Sequence, residues 1–248
     1  MEDYTIAEDY VLPSLGKVYD KAVNPNVKIR SMTTEEEMKR LGHTDKPRKL
    51  LAEIIDDCLI EKPGISSYDL CIGDFQYLMH KLRIVTYGSD YLMQTRCPLC
   101  GQWQEQTIDL EQLKVNSFND NLKNYLNITL PISKKNIEIK LQTPRMLDDI
   151  ELQKKELLKK SSDKEIEPAV LFTVESLISK VDGQVLDDFK LEQLVRKLPM
   201  RDTNYILQSA RKINIGLDTL MHCECKNCHT EYDCQLPITG EFFGPSIN

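Results

Sequence analysis

The sequence predicts an α+β fold, mainly helical, built from two tandem repeats that each run strand, helices and Cys-x-x-Cys turn. Three observations predict it. The chain matches itself at a shift of 128 positions, it matches itself more faintly at a shift of 110, and its two Cys-x-x-Cys pairs fall in the first of those registers. Self-similarity of this kind marks a repeated supersecondary unit. The repeats are expected to span 1–128 and 129–248, each carrying one cysteine turn, and to pack as one intimate unit.

The fainter match supplies the first elements. Val27-Lys28-Ile29-Arg30 aligns with Ile137-Glu138-Ile139-Lys140, and Thr33 with Thr143. Apolar residues alternate with charged ones in both segments, which is the period of a strand with one buried face, and acidic, helix-opening residues follow. The two shifts differ by 128 − 110 = 18 residues, so the second half carries an insertion. The Lys/Glu-rich stretch from Lys154 to Glu167 is expected to hold it, as a solvated helix extension or loop.

The stronger match superimposes Asp74–Cys100 on Asp202–Cys228, with nine of 27 positions identical. In each copy an Asp stands where it could cap a helix, three turns of apolar periodicity follow, and a Gly (Gly88, Gly216) suits the left-handed position after a helix. The predicted core faces are Phe75, Leu78, Leu82 and Val85 in the first helix. In the second they are Ile206, Ala210 and Ile213, with Tyr205 beside them. A strand leads from each helix to its cysteines.

Register also selects among the cysteines. Cys223, Cys225 and Cys228 crowd together, yet only Cys225 and Cys228 align with Cys97 and Cys100. Each first cysteine lies nine residues beyond its glycine. A Cys-x-x-Cys turn offers two thiolates to one ion, and two such turns complete the tetrahedral sulfur shell preferred by structural Zn(2+). Cys97, Cys100, Cys225 and Cys228 are therefore the expected metal ligands, held in one zinc-ribbon-like module that joins the repeats. Gly101 follows the first turn, and His229 stands in its place after the second, where histidine tolerates left-handed geometry and is also a weak rival ligand. Four thiolates leave no open position for water, so the ion is expected to be structural.

The remaining cysteines read more simply. Cys58 shares a helix face with Leu51, Ile54, Ile55 and Leu59 and is expected in the core. Cys71, Cys223 and Cys234 lie near strand or loop edges and receive no chemistry. Eight cysteines without a basic-then-apolar leader argue against a disulfide framework and for a reducing cytosol.

A net charge of −7 has the wrong sign for a chain whose main task is neutralising phosphates. Arg96, Lys226 and Trp103, close to the cysteines, form the best nucleic-acid patch, although the two cations could equally offset the −2 of a zinc with four thiolates. There is no Gly-x-Ser-x-Gly elbow, phosphate-binding Gly-rich loop or His-Glu-x-x-His pair. The four histidines (His43, His80, His222, His229) have no recognisable catalytic partner, and the pairs Asp56-Asp57, Asp148-Asp149 and Asp187-Asp188 read as helix-start or surface features. No catalytic or organic-cofactor residue is expected.

Several short motifs remain. They are Leu12-Pro13-Ser14-x-Gly16-Lys17-x-Tyr19, Lys28-Ile29-Arg30-x-Met32-Thr33-x-Glu35-Glu36 and Asp69-Leu70-x-x-Gly73-Asp74. Leu82-Arg83-Ile84-x-x-Tyr87-Gly88-x-x-Tyr91, Cys97-Pro98-x-Cys100-Gly101 and Glu241-Phe242-Phe243-Gly244-Pro245-Ser246 follow. Together they resemble the baseplate hub proteins and baseplate hub assembly proteins of T4-like (T-even-type) contractile-tailed bacteriophages. The resemblance implies a non-enzymatic protein of the infected cell's cytoplasm that promotes assembly of the tail baseplate hub by binding other hub proteins. A permanent hub subunit of the virion is the alternative it allows, and a zinc-ribbon nucleic-acid binder is the alternative outside it. Neither nucleic acid nor membrane is an expected partner. Phe242 and Phe243 are candidates for the partner contact, weighed evenly against their tucking back onto the protein's own zinc module.

Overall fold

The computed structural model describes residues 5–160, 169–238 and 242. It is a mixed α+β structure, 42% helix and 24% strand. Two compact units emerge from the packing. The first takes in the described parts of 1–67, 73–117 and 215–248, and the second is formed by 68–72 and 118–214. No helix among the described residues is long and apolar enough to cross a membrane.

In the first unit β1 (Ala7–Val11) pairs antiparallel with β2 (Asn26–Arg30). Val27 and Ile29 of β2 are buried while Lys28 and Arg30 are not, as the alternation requires. Thr33 and Glu36 then form a reciprocal capping box that starts α1 (Thr34–Arg40). Helix α2 (Pro47–Cys58) begins on a proline and buries Leu51, Ile54, Ile55 and Cys58. It runs directly into β3 (Leu59–Glu61), the third strand of the sheet, in the order β1-β2-β3. Next come α3 (Ile72–Tyr87), the hairpin β4 (Asp90–Arg96) and β5 (Trp103–Asp109), and the short β6 (Val115–Asn116).

The chain then builds the second unit from α4 (Lys123–Leu126), β7 (Asn127–Thr129), β8 (Asn136–Ile139), α5 (Pro144–Lys160), α6 (Ala169–Leu177), β9 (Ile178–Val181), α7 (Asp188–Lys197) and α8 (Met200–Lys212). Its sheet has the order β7-β8-β9, again antiparallel. The predicted strands at Val27 and Ile137 are thus the middle strands of two like sheets. Both carry a register irregularity at their centre, between Lys28 and Ile29 and between Glu138 and Ile139. Helix α5 extends the predicted helix as far as Lys160, and residues 161–167 of the expected insertion lie outside the described residues. The chain finally returns to the first unit as β10 (Gly216–Leu217), which pairs with β6, and the hairpin β11 (Leu220–Glu224) and β12 (Glu231–Gln235).

Two expectations at the repeated helices need correction. Asp74 and Asp202 are not caps. Each is the third residue of its helix, fully buried, and its carboxylate turns to an earlier Leu-Pro turn. Asp74 accepts from the Ser14 amide (2.9 Å), the Ser14 hydroxyl and the Tyr19 hydroxyl, and Asp202 accepts from the Ile132 and Ser133 amides (both 2.8 Å). The first residues of these turns, Leu12 and Leu130, are both buried, and each turn contains a left-handed residue, Leu15 or Lys134. Gly88 does close α3 with φ +86, but Gly216 opens β10 at φ +109, where Gly73 comes too close for any side chain.

Candidate metal centre

Two six-residue loops join the strands of the two hairpins, and they fold identically because their hydrogen bonds correspond one for one. In the first loop the Cys97 amide donates to Gln102 O (3.0 Å) and the Gly101 amide to Cys97 O (3.0 Å). In the second the Cys225 amide donates to Thr230 O (3.0 Å) and the His229 amide to Cys225 O (2.9 Å). The closing residue must be left-handed in both, and φ is +71 at Gly101 and +55 at His229. Histidine occupies the glycine's position as a backbone element. Its Nδ1 lies 3.1 Å from Glu224 Oε1, and it stands outside the sulfur group described next.

The loops bring four sulfurs together. Cys97 and Cys228 are 3.7 Å apart, Cys100 and Cys225 are 3.6 Å apart, and all four Sγ atoms lie within 4.8 Å of one another. All are free thiols, well beyond the ~2.05 Å of a disulfide. Four sulfurs at ~2.3 Å from a central Zn(2+) would stand about 3.8 Å apart on the edges of a tetrahedron, so the donor set fits a four-thiolate ion in both chemistry and spacing. Cys97 and Cys225 are buried, Cys228 is half-buried and Cys100 is exposed, which puts the group at the tip of the two hairpins.

Electrostatics around the sulfurs points the same way. The Gln102 amide aimed at Cys100 lowers its pKa, and hydrogen bonding with the side chain and backbone of Thr230 holds Cys228 at about 6. The Cys228 and Asn227 amides likewise favour a thiolate at Cys225, yet desolvation and the neighbouring thiols prevail and raise it to about 11. Thiols in mutual contact cannot all ionise unless a cation compensates them, and a divalent ion reverses that balance.

Side chains fix one hairpin against the other. Thr95 Oγ1 and the Tyr232 hydroxyl are 2.7 Å apart, and Gln104 Nε2 donates to the same hydroxyl and to Glu224 O (3.3 Å). The Lys226 amide donates to Gln104 Oε1 (2.9 Å) and its ammonium to Glu105 O (3.1 Å), while Arg96 Nε donates to Gly101 O (3.1 Å). Both cations sought in the sequence therefore brace the turns. Trp103 is exposed beside Lys226 and Asn227. The sequence alone gave no reason to single out Gln104 or Tyr232, which take half-buried positions in strands whose exposure alternates.

The other expected residues fall as follows. Cys58 is a core thiol pushed up to about 12 by burial. Cys223 and Cys234, which received no chemistry, come within 2.7 Å on neighbouring strands, outside the four-sulfur group. Asp187 caps α7, and buried Asp148 accepts from the Tyr68 hydroxyl (3.1 Å). Phe242 is fully buried beside Ile84, Met93, Leu110 and Leu236, its ring 5.1 Å from that of Tyr91. Of the two evenly weighed readings of Phe242, this enclosure supports the one in which the ring tucks back onto the protein itself. Phe243 lies outside the described residues.

The profile of the T4 bacteriophage base plate protein family matches residues 4–244. No curated protein and no solved structure matches the chain.

Proposed function

We propose, for a chain that belongs to the T4 bacteriophage base plate protein family, a non-enzymatic role in building the tail baseplate hub through protein–protein binding. One structural Zn(2+), held by Cys97, Cys100, Cys225 and Cys228, keeps its docking body rigid. The carrying observation is the convergence of four thiols from loops 125 positions apart. Closing a loop of that length costs about 4 kcal/mol, whereas zinc binding in small sites contributes about 10–16 kcal/mol. Binding therefore wins. A shell filled by four protein sulfurs holds backbone in place and offers no site for substrate.

The two halves, 1–128 and 129–248, are proposed as diverged copies of one unit. Their like sheets, Leu-Pro turns and buried aspartates support this, and the hairpin of the second half completes the metal module with that of the first. A permanent subunit of the virion baseplate is the second reading, favoured by the family's own description as base plate protein. The assembly role predicts that a phage lacking this gene accumulates incomplete hubs, that Cys97→Ser or Cys228→Ser reproduces the defect, and that purified virions lack the chain. Stoichiometric copies in virions establish the second reading instead, and normal tails without the gene overturn both.

A further inference from the structure

We propose that the groove formed by α5, α6 and α7 in the second unit receives a cationic amphipathic segment of another baseplate protein. The inference rests on the assembly reading above and names the partner's chemistry. The groove encloses about 790 Å³, within the ~300–1,000 Å³ of pockets that enclose a ligand. Met146, Ile150, Phe172 and Leu191 contribute its apolar lining. At its margins Leu157 and Phe189 are 42% and 68% exposed, and a large apolar side chain held in water beside a concave surface marks an anchor for a partner.

Charge selects the occupant. Among the described residues, Asp149, Glu156, Glu175, Asp188 and Glu192 line the groove against Lys140 and Arg196. Arg196 is already engaged, its guanidinium donating to Glu192 (2.7 Å). Glu175 Oε1 is buried with no hydrogen-bond donor, an arrangement that a lysine or arginine from outside would complete. Burial first, then the nearby Glu192, raises the Glu175 carboxyl to about 7 against the opposing pull of Arg196. A helix with apolar residues on one face and Lys or Arg flanking them meets both the floor and the rim. An acidic segment or a nucleic-acid backbone would be repelled.

The test places a photo-crosslinking benzoylphenylalanine at position 189 of the full chain during infection. The expected product joins this chain to a segment of another baseplate protein that has surplus Lys and Arg and apolar residues at i, i+3 and i+4. Glu175→Gln should lower its yield about tenfold, the scale of one lost charged contact. A crosslink to an acidic segment, to a second copy of this chain or to nucleic acid overturns the proposal. So does the absence of any crosslink while tails assemble normally, an outcome that leaves the assembly role standing. As a check independent of variants, the wild-type protein should bind a Leu/Lys amphipathic helical peptide at least tenfold more tightly than its Leu/Glu counterpart. Equal affinities also overturn it.

Discussion

Asp74 and Asp202 show what a single residue can reveal before its surroundings are known. The repeat made them conspicuous and helix-start chemistry made them look like caps, because acids before an apolar helical stretch usually are. Their partners lie 60 and 70 positions away. No local rule points from a helix to a Leu-Pro dipeptide that distant, so the pairing was illegible. His80 carries the clearest prediction at this scale. Its Nε2–H donates to Leu110 O (2.8 Å), its Nδ1 is buried with no partner, and burial lowers its pKa from 6.5 to about 4. The folded state binds the proton less readily than the unfolded chain, so stability is full above pH 6.5 and falls as pH drops through the folded value. The loss reaches on the order of 3 kcal/mol near pH 4. Thermal melts between pH 7 and 4 should show this decline, and His80→Gln, whose amide can still donate to Leu110 O, should flatten it.

Elements were legible where their signals were local. Alternation found β2 and β8, apolar spacing found the buried faces of α2 and α3, and the shared glycine-to-cysteine spacing found the two turns. The common left-handed φ of Gly101 and His229 confirms that loop geometry survived a change of residue type. Elsewhere equal register concealed unequal surroundings. Gly88 has open space where a Cβ would stand, whereas a Cβ on Gly216 would lie 2.8 Å from Gly73 Cα. Gly88→Ala should therefore cost only left-handed strain, about 1–2 kcal/mol. Gly216→Ala adds a backbone clash and should cost at least about 3 kcal/mol. Urea unfolding of the two variants measures the difference, and equal losses would contradict the close approach of Gly73 and Gly216.

At the scale of the whole molecule, chain order misleads. The two halves of the sequence do not coincide with the two compact units, because the described residues from 215 onward return to the first unit after the chain has built the second. Composition and periodicity carry no information about such a return; the paired cysteines do, since sulfurs meant for one ion must meet. The return also explains Phe242, which packs beside Tyr91 and Leu236 in the core beneath the hairpins. A metal ion held by the four cysteines would close a chain excursion that includes residues 118–214 of the second unit. X-ray absorption at the zinc edge of the purified full-length protein tests it most directly. The account predicts one zinc per chain with four sulfur neighbours at about 2.3 Å. A protein that binds no zinc, or a first shell containing nitrogen or oxygen, would contradict it.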